Sequence, residues 1–213
     1  MKSVFFAAAL LSAAAARASV PQGHSPAFAV AYGASAYSVE TDANATAERV
    51  TVRRLGLDGG VLWEQRYGAG RSETPVGAAV TSWGGVSVAG DNEGGCFAAH
   101  WTSSGSLKWD NDLVMGSECH VRAVLVDANG ETYVLATTTV GNITPTIWKI
   151  DKIGRVAWYY TLSSATPRYA FALTLDAAGD GVTATTAMSG SGGWVYENFD
   201  LDSNGRTREA AAQ

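Results

Sequence analysis

The sequence predicts an all-β protein built from four repeated units, each holding about four short strands. Three observations predict it. A Gly-x-x-x-Trp signal recurs at nearly constant spacing. A second glycine landmark moves in step with it. Beyond the N-terminal segment, no run of ten or more residues shows convincing helical periodicity.

The first landmark reads LDGGVLW (57–63), TSSGSLKW (102–109), IDKIGRVAW (150–158) and LDSNGR (201–206). Gly59, Gly105, Gly154 and Gly205 align at spacings of 46, 49 and 51, and Trp63, Trp109 and Trp158 follow the first three. The second landmark reads SWGGVSV (82–88), DANGETYV (127–134) and DAAGDGV (176–182). It aligns Gly84, Gly130 and Gly179 at spacings of 46 and 49. Upstream, PAFAVAYGASAYSV (26–39) overlays PVGAAVTSWGGVSV (75–88). The units therefore fall near 26–68, 75–113, 120–162 and 168–208.

In the third unit, strands are expected over Val121–Val126, Thr132–Thr137, Thr146–Ile150 and Val156–Thr161. These runs are rich in Val, Thr, Ile and aromatics and are bounded by Gly, Asn, Asp and Ser. Leu125 between Val124 and Val126 makes one run apolar on both faces, as in a central strand. Four strands in about 45 residues is the arithmetic of a β-propeller blade, which buries its faces only against neighbours. A β-sandwich is the competing fold, but it does not require Gly-x-x-x-Trp at blade spacing.

The run D-x-x-G-x-x-x-W, as in Asp151–Trp158, followed by a hydrophobic turn such as Leu173–Val182, resembles bacterial-type β-propeller repeats. It is also similar to the quinoprotein-like repeat, whose Trp packs between blades. The resemblance spans the four units and implies a fold, with Trp63, Trp109 and Trp158 as packing residues. The first unit departs by one residue at Asp58-Gly59-Gly60, the second has Thr102 in place of Asp, and the fourth lacks the Trp. Quinone-dependent members are far longer and carry dedicated cofactor residues, so no cofactor is expected here. The fourth unit is incomplete: either Arg206–Ala212 makes a poor outer strand or Ser19–His24 closes the ring. A half-propeller that dimerises and a truncated gene product are the alternatives to a four-bladed monomer.

The 213 residues are 46% apolar and 16% charged, enough apolar content for a core and short enough for one domain. Met1-Lys2, the apolar run Val4–Ala16 and Ala16-Arg17-Ala18 form a signal-peptide pattern over 1–18, leaving a propeller domain over 19–213. An uncleaved anchor helix is the alternative, with a run short for a bilayer. The expected location is secreted. There Cys96 and Cys119 pair as a disulfide worth roughly 3 kcal/mol. Asn44-Ala45-Thr46 and Asn142-Ile143-Thr144 are glycosylation sequons. A net charge of −5 argues against nucleic acid as a partner.

Propeller connectivity puts the longer loops on one face: Gly68–Thr74, Val114–Cys119, Ser163–Pro167, Ala43–Ala47, Asp91–Gly95 and Val140–Asn142. The residues entering each innermost strand ring the channel mouth on that face. They are His24, Glu73, Thr74, His120, Arg168 and Tyr169, a mixture suited to a small polar ligand such as a sugar. The bland alternative is a solvated rim. Glu73, Asp91, Glu93 and Glu118 are carboxylates on the same face, but an acid/base pair needs a set separation. His24, His100 and His120 lack metal spacing. Asp200–Gly205 starts like a calcium loop, but Ala211 stands where the bidentate acid is needed. No nucleophile elbow, phosphate loop or dinucleotide fingerprint is present. Trp101, Trp148 and Trp194 are expected in the core and Trp83 at an exposed turn.

These features point to a secreted, non-enzymatic binding module whose ligand is carbohydrate or an extracellular protein. A glycan-acting hydrolase or lyase is the alternative, and a scaffold protein the third.

Overall fold

The computed structural model describes residues 28–33, 35–42, 49–68, 72–115, 118–176 and 181–208. The leader assigned to 1–18, His24, the Ser19–His24 segment, the Asn44 sequon and the Ala43–Ala47 loop lie outside them. Among the described residues the chain is all β: fifteen strands in four antiparallel sheets, taken in chain order.

The first sheet is β1 (Phe28–Tyr32), β2 (Ser35–Asp42), β3 (Arg49–Leu55) and β4 (Val61–Tyr67). The second is β5 (Glu73–Val80), β6 (Val86–Asn92), β7 (Gly95–Trp101) and β8 (Leu107–Met115). The third is β9 (Glu118–Val126), β10 (Thr132–Val140), β11 (Asn142–Ile150) and β12 (Val156–Thr161). The fourth has three strands, β13 (Tyr169–Leu175), β14 (Gly181–Gly190) and β15 (Gly193–Asp202), and a single bridge from Leu201 to Thr207. First strands meet in series: β1 with β5, β5 with β9, and β9 with β13.

The repeat is made by one turn used again and again. In Asp127–Glu131, Asp151–Arg155 and Asp202–Arg206 the first residue's N–H donates to the last residue's carbonyl, and the Gly N–H donates back to the first carbonyl. The Asp carboxylate caps the loop by accepting two further N–H groups; Asp151 Oδ1 takes Ile153 and Arg155, and Asp202 Oδ1 takes Asn204 and Arg206. Asp202 Oδ1 is thus engaged within its own turn.

The turn glycines Gly105, Gly154 and Gly205 each also receive a tryptophan from the unit before. A Cβ on Gly105 would stand 2.9 Å from the Trp63 ring, and one on Gly205 would stand 2.6 Å from the Trp158 ring. Trp63 Nε1 donates to Ser103 O at 3.0 Å and Trp158 Nε1 to Ser203 O at 2.9 Å. Thus Trp63, Trp109 and Trp158 pack between units, as the resemblance implied. Trp83 does the same at the second landmark: half-exposed, it lies over Gly130.

The strands carry their own repeat of irregularities. Val76, Arg122 and Phe171 are left out of register in β5, β9 and β13, again 46 and 49 residues apart. Leu62, Lys108 and Ala157, each just before the repeated Trp, are skipped in β4, β8 and β12. Such bulges twist a strand and re-aim the next side chain.

Three apolar clusters fill the three seams. Tyr37, Val39, Val52, Val88 and Trp101 join the first and second sheets. Ala98, Trp109, Val134 and Trp148 join the second and third. Leu135, Ile147, Leu173 and Val182 join the third and fourth. The middle sheets are covered on both sides, so β7 is buried end to end and shows no alternation. Away from these cores, Arg53 of the first sheet pairs with Glu40 and Glu64, and Thr185 of the fourth donates to Asn198 at 2.8 Å.

Cys96 of β7 and Cys119 of β9 form the disulfide, with Cα atoms 5.5 Å apart, and tie the second sheet to the third. Two expected loops are tight turns. Pairing runs on to Asn92 and Gly95, leaving only Glu93-Gly94, and to Val140 and Asn142, leaving only Gly141. Polar strand ends made these segments read as loops.

Candidate functional site

Four of the six predicted site residues start first strands: Glu73 and Thr74 in β5, His120 in β9 and Tyr169 in β13. Arg168 precedes Tyr169, and His24 lies outside the described residues. Thr74 is exposed and sits opposite Asp91 in the ladder. Asp91 Oδ2 lies 3.0 Å from His120 Nδ1, while Asp91 Oδ1 accepts the Val121 N–H at 2.8 Å. Asp91 and His120, with Asn92, Glu118 and Cys119, border a shallow depression of about 380 Å³, which Thr74 does not line.

The other predicted residues are directed elsewhere. Glu73 is buried and turned toward the first unit, where a Cβ on Gly68 would stand 3.1 Å from its Oε2. Burial, then the Glu73 carboxylate, raise the Tyr67 phenol above its ordinary range. Arg168 donates to Glu197 at 2.6 Å and lies over the Phe199 ring. Tyr169 joins an aromatic group on the fourth sheet, edge-on to Trp194 at 5.8 Å, beside the Phe171–Tyr196 pair at 4.9 Å. Trp194 is exposed there rather than buried in the core, on β15 at the edge of its sheet. Among the described residues, no three of His, Cys, Asp and Glu gather closely enough to hold a metal ion, and no helix is long and apolar enough to cross a membrane.

Among the described residues, one concave feature is one that sequence reasoning missed. It is a cleft of about 570 Å³ between β8 of the second sheet and β11 and β12 of the third. Alternation builds its floor. Asn142, Thr144, Thr146 and Trp148 fall two apart on β11, so all four project to one side. Thr161 lies opposite Thr146 on β12, and Thr138 lies opposite Thr144 on β10. Leu113 of β8 and Tyr159 of β12 add apolar surface, and Ser163 and Ser164 border the following loop. Tyr159 is 68% exposed, whereas Trp148 is buried at the base.

The threonines are wired together. Thr138 Oγ1 lies 3.1 Å from Thr146 Oγ1, which lies 3.2 Å from Thr161 Oγ1. Thr138 Oγ1 also meets the Thr144 carbonyl at 3.2 Å and its hydroxyl at 3.4 Å. A chain of hydroxyls on a rigid sheet, beside an aromatic ring open to solvent, offers oriented polar contacts and a flat apolar platform in one cleft. The sequence signal was the period-two pattern Asn-x-Thr-x-Thr-x-Trp over 142–148, masked by its overlap with the Asn142 sequon. No protein-family model matches the chain, and no curated protein matches it at a significant level.

Proposed function

We propose that the protein is a secreted, four-bladed β-propeller that acts as a non-enzymatic binding module, with carbohydrate as its ligand. The observation that carries the function is the cleft between β8 and β12, where hydroxyls, the Asn142 amide and the exposed Tyr159 ring face one space. Pyranose rings present hydroxyls around their rim and C–H groups on their faces, and this lining complements both. The propeller architecture is supported by four sheets in chain order, their repeated turns and bulges, and first strands adjacent in series. Closure would bring the Arg53 face of the first sheet toward the Thr185 face of the fourth. Export is supported by the leader-like pattern over 1–18 and by the disulfide.

A broad glycan array, read with and without calcium, tests the function. Tyr159→Ala is expected to weaken binding at least about tenfold, and Thr146→Val by about three- to tenfold, while His120→Ala leaves affinity within about twofold. Loss with His120→Ala and retention with Tyr159→Ala would move the site to the channel mouth. Folded protein that binds no glycan would overturn the carbohydrate assignment.

A glycan-acting hydrolase or lyase is the second reading, favoured by Asp91 and Glu118 bordering one depression with His120. It requires release of new reducing or unsaturated ends, abolished by Asp91→Asn or Glu118→Gln.

A further inference from the structure

We propose that the β8–β11–β12 cleft selects uncharged sugar units and rejects acidic ones, a specificity that rests on the carbohydrate-binding function above. None of the described residues lining the cleft is Asp, Glu, Lys, Arg or His. The nearest charges on the same strands point to other faces. Lys149, next to Trp148, pairs with Glu131 at 2.6 Å and donates to Ser203 O at 3.0 Å. On β8, Asp110 accepts from Tyr67 and Asp112 from Asn92, while Leu113, the residue after Asp112, lines the cleft. A uronate or sulfate entering the cleft would give up water and find no cation in exchange.

The hydroxyl chain favours the same ligand class. Each threonine hydroxyl has one hydrogen to donate and two lone pairs. In one connected arrangement Thr161 donates to Thr146, Thr146 and Thr144 donate to Thr138, and Thr138 donates to the Thr144 carbonyl. All four hydroxyl hydrogens are then used inside the wall, and the lone pairs that remain on Thr144, Thr146 and Thr161 face the ligand. A sugar hydroxyl donates to such a lone pair. A carboxylate or sulfate only accepts, so it meets lone pair with lone pair and must first break the chain.

The test is calorimetric titration of the full chain with neutral oligosaccharides (gluco-, manno- and galacto-series) and with oligogalacturonate and a sulfated oligosaccharide. Each titration is run at low and at high salt. The expected result is binding to at least one neutral series, lost with Tyr159→Ala and changed less than about twofold by salt. Acidic oligosaccharides are expected to bind at least about thirtyfold more weakly. Thr161→Lys, an exposed change that leaves the sheet intact, is expected to narrow that gap by placing a cation at the cleft mouth. Tyr159-dependent binding that prefers acidic oligosaccharides would overturn the specificity and leave the carbohydrate function standing. Absence of binding to both kinds would overturn both.

Discussion

Gly154→Ala is expected to destabilise the protein by about 4 kcal/mol, read as a lower urea midpoint with an unchanged slope. Two costs add. Gly154 has φ of +93°, where an alanine side chain meets its own backbone, at about 1–2 kcal/mol. The new Cβ would also stand 2.6 Å from Trp109 Cγ, and Trp109 is held in the buried cluster between the second and third sheets. Overpacking of that kind costs about 1–3 kcal/mol, and a displaced Trp109 loses its stack on His100 as well. Gly141→Ala isolates the first cost, because Gly141 has φ of +82° but nothing within 4 Å of the added atom. It is expected to lose only about 1–2 kcal/mol. Equal losses in the two variants would show that the Trp–Gly contact contributes nothing.

Acid is expected to unfold the protein in two separable stages, the first governed by His100. This residue is buried in β7, stacked on Trp109, with Nδ1 3.0 Å from Ser87 Oγ. Ser87 Oγ in turn lies 2.8 Å from Thr132 Oγ1 of the third sheet. Burial, aided by the Lys108 charge, lowers the His100 pKa from 6.5 to about 4. The unfolded chain therefore takes up a proton near pH 6.5 that the folded chain refuses until about pH 4, so stability falls with pH across that window. The loss amounts to about 3 kcal/mol at the acid end. His100→Gln is expected to flatten the slope between those limits whatever its effect on stability at neutral pH. A slope unchanged in His100→Gln would remove His100 as its source.

The second stage comes from the turn carboxylates. The Arg206 N–H, with that of Asn204, holds Asp202 below its ordinary range, so its contribution survives to lower pH and is lost as pH falls through that depressed value. Asp127 acts with the opposite sign. Its burial raises its pKa, so the folded chain protonates first and acid favours the fold through this group.

The repeat was legible because it is written in residues that cannot be exchanged. Only Gly fits the left-handed corner of the turn, and only a large flat ring covers it, so Gly105 and Trp63 leave a mark at any distance in the chain. The resemblance implied that each Trp packs between units, but not that its contact is the turn glycine of the unit that follows. Strand ends were misjudged where threonine, asparagine and aspartate extend the ladder, as at Asn92 and Val140. The candidate site was the least legible. Its walls come from two sheets, and Leu113 gives no sign in sequence that it will face Thr146 and Tyr159. The channel-mouth set was read by position alone, and contacts such as Arg168 with Glu197 are settled by neighbours that position does not specify.

The passing of Trp63, Trp109 and Trp158 to the following turn couples each unit to its next neighbour in sequence. Every sheet is closed by local hairpins, so a unit can zip up alone, but its Trp stays wet until the next unit arrives. Loosening should then spread outward from a broken seam instead of striking the whole chain at once. Amide hydrogen exchange is expected to be slowest in β7 and β10, inside sheets flanked by seams on both sides, and fastest in β4 and β15, edge strands of the first and last sheets.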